Sequence, residues 1–76
     1  MRPASPIRLG SVVSFDEHRG WGEVVDATDG STHGFHCTVI DGGARSIEPG
    51  TAVAFLVGPG GPGRWEAVQV VALPSG

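Results

Sequence analysis

The 76-residue chain contains no lysine and only one cysteine, and its aromatic residues besides histidine are three Phe and two Trp. Each scarcity excludes something. One cysteine, Cys37, makes no internal disulfide, so this is not a stapled secreted mini-protein. Without lysine, the five cations are Arg2, Arg8, Arg19, Arg45 and Arg64, set against eight carboxylates for a net charge of −3. Affinity for nucleic acid rests largely on phosphate neutralisation, so this balance argues against long-range capture of a polyanion. A local basic strip remains compatible with it. No stretch approaches the ~20 apolar residues of a membrane span. Met1 to Pro6 has one Arg but no apolar run of the signal-peptide kind. A cytoplasmic protein with no membrane partner is expected.

Glycine and proline are plentiful instead. Thirteen Gly and six Pro make up a quarter of the chain, which favours many short strands over helices. No window sustains apolar residues at helical spacing. Strands are predicted over 8–15, 21–25, 32–37, 51–57 and 64–73. Between them lie a polar turn at Asp16–Gly20, a turn at Asp29–Ser31, and a loop from Asp41 to Gly50. A single helical turn fits Thr38–Ile40, and the run from Gly58 to Gly63 reads as a surface loop. In the fourth strand Val53, Phe55 and Val57 share a face; in the fifth, Val68 and Val70 do. So small a chain buries a limited core, which a closed sheet does with few residues. The expectation is an all-β, five-stranded antiparallel barrel over residues 8–73, with a flexible leader at 1–7 and a flexible tail at 74–76.

Four ordered segments then carry a resemblance. Gly10-Ser-Val-Val-Ser-Phe-Asp-Glu-His-Arg-Gly-Trp-Gly-Glu-Val24 is similar to the strand–turn–strand pattern G-x-V-K-W-F-N-x-x-K-G-F/Y-G-F-I of the bacterial cold-shock domain. Asp29-Gly-Ser31 followed by His33-Gly-Phe-His-Cys-Thr-Val-Ile40 resembles D-G-S followed by V-F-V-H-x-S-A-I. Gly43-Ala-Arg-Ser-Ile-Glu-Pro-Gly50 resembles G-F-x-T-L-x-E-G, and Gly61-Pro62 with Ala67-Val-Gln-Val70 resembles the closing G-P-x-A-x-N-V. The resemblance covers Leu9 to Leu73 and makes the chain a divergent, acidic counterpart of that family. It implies an OB-type barrel whose outer aromatics stack single-stranded bases.

Transferred by position, the resemblance assigns Phe15, Trp21 and His36 to the stacking platform and Arg19 to its basic position, with Arg45 and Arg64 as further phosphate contacts. Several positions depart from the pattern. Ser14 stands in place of Trp and Val13 of Lys; Glu23, Gly34, Cys37 and Ala44 replace aromatics. At ~1–3 kcal/mol per stacked base, such losses imply weak binding of RNA or DNA with little sequence preference. The rival expectation is a protein-interaction module using the same face, with Trp21, Phe15, Val13 and Leu56 beside Glu23. Trp65, off the platform, is expected to pack against the Gly-Pro loop. His33, His36 and Cys37 alternate faces and lack a fourth ligand, so neither a metal nor another cofactor is expected. Cys37 has no orienting partner for nucleophilic chemistry, and no catalytic set converges. The chain is expected to be a monomeric binding protein and not an enzyme.

Overall fold

The computed structural model describes residues 7–61 and 64–74, the side chain of Arg64 excepted. Five strands form one antiparallel sheet: β1 (Arg8–Asp16), β2 (Trp21–Asp26), β3 (Thr32–His36), β4 (Ala52–Gly61) and β5 (Arg64–Ala72). Their order is β3-β2-β1-β4-β5. The expected leader lies outside the described residues apart from Ile7, as does the tail apart from Pro74.

β1 is the central strand of the five, with β2 on one edge and β4 on the other. Its inner half, Arg8–Ser11, pairs with β4, and the run from Gly10 to Asp16 pairs with β2. Val12 faces Val24 but Ser14 faces Glu23, leaving Val13 as an unpaired bulge residue, 48% exposed. A bulge adds bend and twist, so β1 can serve two partners that diverge. Gly10 sits where both partners flank it, and a Cβ there would collide with the carbonyl oxygen of Val25.

The core gathers Val12, Val24, Phe35, Ile40, Val53, Phe55, Ala67 and Val70 from across the sheet and the segment after β3. One sheet that encloses its own core must be curled. The ladder stays open, however: β3 and β5 make contact without pairing along their length. A single 3-10 turn at Cys37–Val39 follows β3, and Ile40 then forms a parallel bridge to Val70. The Asp41 amide donates to the Val70 carbonyl at 2.7 Å.

Two expectations about this half of the sheet are corrected. The run after Gly58 is not a free loop, since Gly58, Pro59 and Gly61 pair with Glu66, Trp65 and Arg64. β1 pairs with β4 only as far as Phe55, so Pro59 lies where no neighbour on that edge needs its missing N–H. The remaining two residues of the run, 62 and 63, lie outside the described set. Nor do Val68 and Val70 share a face. Ala67 pairs with Val57 and Gln69 with Leu56, so Val68 is a second bulge residue, 41% exposed, while Val70 is fully buried.

A charged lock holds the far end of the β1–β2 pair. Among the described residues Asp26 is the one buried charged residue, and its Oδ2 accepts from the Arg8 guanidinium at 2.7 Å while Oδ1 accepts from the Thr28 amide at 2.7 Å. The Arg8 hydrogen bond first, then the Thr28 amide, hold the Asp26 carboxyl below its ordinary value. A carboxyl whose folded value lies below its unfolded one stabilises the fold above the unfolded value, and that stabilisation is lost as pH falls through the folded value. The melting temperature should therefore be level at neutral pH and fall below about pH 4. Asp26→Asn should be less stable at pH 7 and show a shallower acid limb. An acid limb parallel to that of the parent would assign the effect to other carboxylates, Asp29 among them.

Candidate nucleic-acid interface

Register assigns every side chain of β1–β3 to one face or the other. Cα partners in an antiparallel sheet point the same way, and successive rows alternate. Asp16, Trp21 and His36 form one row; Phe15, Gly22 and Phe35 the next; Ser14, Glu23 and Gly34 the third. Phe35 is fully buried, so the middle row faces the core and the other two face outward.

This arrangement relocates Phe15. Its ring stacks on that of Phe35 with centroids 5.8 Å apart and planes 29° from parallel, and it packs against the core half-buried. Gly22 between them makes the contact possible, because a Cβ there would stand 2.7 Å from Phe15 Cδ1 and 2.8 Å from Phe35 Cζ. The expected platform place of Phe15 is thus corrected: it belongs to the opposite face from Trp21 and His36. Its outer edge lines a small groove with Glu17, Ser46, Ile47, Glu48 and Pro49.

Trp21 and His36 are direct partners on the outer face. The indole leans diagonally across β3 and lies over Gly34, where a Cβ would come 2.5 Å from Cζ2 and 3.1 Å from Cε2. Gly34 is therefore a seat for the Trp21 ring as well as a missing aromatic. By residue type Gly34 shows the missing ring and not the seat; diagonal pairing of Trp21 with the residue two before its partner is the signal for it. Gly34→Ala should tilt the indole off the sheet, read as a change in near-ultraviolet circular dichroism and Trp emission with the far-ultraviolet spectrum kept. Unchanged Trp signals would show that the ring does not depend on this seat.

His36 is exposed and caps the 3-10 turn. Its Nδ1 accepts from the Thr38 amide at 3.3 Å and lies 3.0 Å from Thr38 Oγ1. In the neutral ring this leaves the proton on Nε2. The β1–β2 turn closes against this corner. Asp16 Oδ1 accepts from the amides of His18 and Arg19, and Gly20 adopts φ +66°, donating to the Asp16 carbonyl at 2.8 Å. A side chain at Gly20 would stand 3.1 Å from Cys37 Sγ and 3.6 Å from His36 Nε2. Only glycine suits both the backbone conformation and the space.

Two of the three cations assigned to phosphate, Arg19 and Arg45, flank that corner. Arg19 precedes Gly20 in the turn and is exposed, with no ion pair among the described residues. Arg45 joins Cys37, Thr38, Gly43 and Ala44 around a shallow open recess of about 430 Å³. Arg64 opens β5 at the far hairpin, and its side chain lies outside the described set. Beyond the row of Trp21 and His36 stands the exposed Glu23 between Ser14 and Gly34, while that row itself carries the Asp16 carboxylate beside the two arginines.

One other expected contact is not made: Leu56 lies apart from Trp21, around a groove of about 150 Å³ with Ile7, Ala54, Gln69 and Val71. Trp65 is paired with Pro59 of the glycine-proline run, and it is 66% exposed. His33 turns from the face altogether, with its ring 6.0 Å from that of Phe55 and Nε2 3.2 Å from Ser31 Oγ. The geometry of the outer face offers two rings for stacking and two cations at one corner.

The strand order, the core and the capping turn after β3 define the fold of a cold-shock domain. The solved structure described as drosophila Unr CSD456 is similar to the chain, with a TM-score of 0.75 over 93% of this chain at 24% sequence identity. The chain spans 28% of the length of that one. At this identity the likeness is one of fold. No protein-family model matches the chain, and no curated protein matches it.

Proposed function

We propose that the chain is a single-stranded nucleic-acid-binding module that holds RNA or DNA weakly, through bases stacked on Trp21 and His36 and phosphates met by Arg19 and Arg45. The observation that carries this reading is the Trp21 indole lying over Gly34 with exposed His36 as its cross-strand partner. A ring held flat on a sheet offers its face to a base of any identity, and the stacking is sequence-tolerant for that reason. The cold-shock fold supports the reading, and with it we take the curled sheet, bridged from Ile40 to Val70, as a barrel of the OB type. The module acts as a monomer, without cofactor or catalysis, in the cytoplasm.

The test is a fluorescence titration in a Trp65→Phe background, where Trp21 alone reports. A short pyrimidine-rich oligonucleotide should quench the emission at low salt. With two phosphate contacts and a slope near −0.7 each, a threefold rise in salt should weaken binding about fivefold. No quenching even at low salt would overturn the reading. A protein partner is the rival, and the apolar groove of Ile7, Ala54, Leu56 and Val71 is the surface that favours it. A pull-down that keeps its partner after nuclease treatment would support that reading instead.

A further inference from the structure

Glu23 is the side chain on the outer face that the fold does not explain. It is exposed and makes no ion pair or hydrogen bond among the described residues, whereas Asp16 on the same face is engaged by the turn amides. Its partners on either side are small, Ser14 on β1 and Gly34 on β3, so nothing crowds it. Gly34 is also the residue under the Trp21 indole. Opposed residues in a sheet have Cβ atoms about 4.5–5.5 Å apart, so Glu23 stands at the border of that ring. A base resting on the indole would present its edge to the carboxylate.

A carboxylate there repels phosphate, so its useful partner is a donor edge. Ionised, it only accepts, through two oxygens. Guanine carries N1–H and the N2 amine side by side on its Watson–Crick edge, and both oxygens can be satisfied at once. Adenine and cytosine set one amine beside a ring nitrogen that is itself an acceptor. Uracil and thymine set one N–H between two carbonyls. Single-stranded bases are recognised along these edges.

Resting on the reading above, we propose that Glu23 selects the base stacked on Trp21 and favours guanine. Stacking stays tolerant along the rest of the strand, and one position becomes selective.

Labelled oligothymidylates carrying a single central guanine, adenine or cytosine, measured by anisotropy at low salt against the all-thymine strand, test this. Adenine controls for the better stacking of a purine. The guanine strand should bind about tenfold tighter than the adenine strand, the order of discrimination a bidentate base contact gives. Glu23→Gln and Glu23→Ala should cut that preference to under twofold while binding the all-thymine strand as well as or better than the parent. Equal affinity for guanine and adenine in the parent, or a guanine preference that survives Glu23→Ala, overturns the proposal while leaving the binding reading intact. If no strand binds any variant, the binding reading fails and the proposal with it.

Discussion

Trp21→Ala is expected to weaken binding of a labelled single-stranded oligonucleotide by one to two orders of magnitude, with the melting temperature little changed. The size follows from the small number of rings. Stacking contributes about 1–3 kcal/mol per base, and about 1.4 kcal/mol is a factor of ten. With Phe15 turned to the core, Trp21 and His36 are the two rings of the assigned platform left on the outer face. Trp21 has the larger ring and the more defined pose, lying over Gly34. The small stability effect follows from its place outside the core, which is formed by other residues. His36→Ala should cost less in binding, because imidazole offers less area. Phe15→Ala should cost stability, since its ring packs on Phe35. If Phe15→Ala lowered affinity as much as Trp21→Ala with stability intact, the assignment of faces would be wrong.

That contrast also marks where a sequence can be read and where it cannot. Strand positions were legible from turn residues and alternation: Trp21 after Gly20 and Thr32 after Ser31 begin strands as expected. Alternation fails at a bulge, because one added residue inverts every side chain beyond it. Val68 is such a case, and the inversion separates it from Val70. Gly58 to Gly61 failed for a different reason. Their own preference is for a loop, and the hairpin with Glu66, Trp65 and Arg64 overrides it. Motif position alone puts Phe15 on the platform, whereas its face is decided by its partner Gly22 and by Phe35 beyond it. The Arg8–Asp26 lock joins groups 18 residues apart and has no local signature. For the interface, residue types were readable and contacts were not. By type alone Gly34 is a lost ring; the indole of Trp21 above it makes it a seat.

Phe35→Ala is expected to remove most of the stability of the fold, and its effect should spread to the interface only through unfolding. Phe35 is fully buried in the middle row of β3, with Phe15 stacked on it and Gly22 shaped to admit its ring. Truncating a buried Phe costs about 3–5 kcal/mol, from lost transfer free energy and the cavity left behind. Domains commonly have only about 5–15 kcal/mol in total, and a chain this small sits toward the low end. Collapse around the cavity is hindered, because the ring is flanked by β2 backbone at Gly22 and by a partner ring that packs on it. Urea denaturation should show a midpoint lowered by more than half, with an unchanged slope while the variant still folds cooperatively. Phe35→Leu keeps apolar volume and should recover much of the loss. Oligonucleotide binding by Phe35→Leu should then match the parent at temperatures where both are folded. The outer row of Trp21 and His36 is reached from Phe35 through backbone, that of β3 and that of its partner Gly22 on β2. A loss of under about 1 kcal/mol in Phe35→Ala would mean that the ring is not the centre of the core and that the curled sheet is held mainly by its ladder.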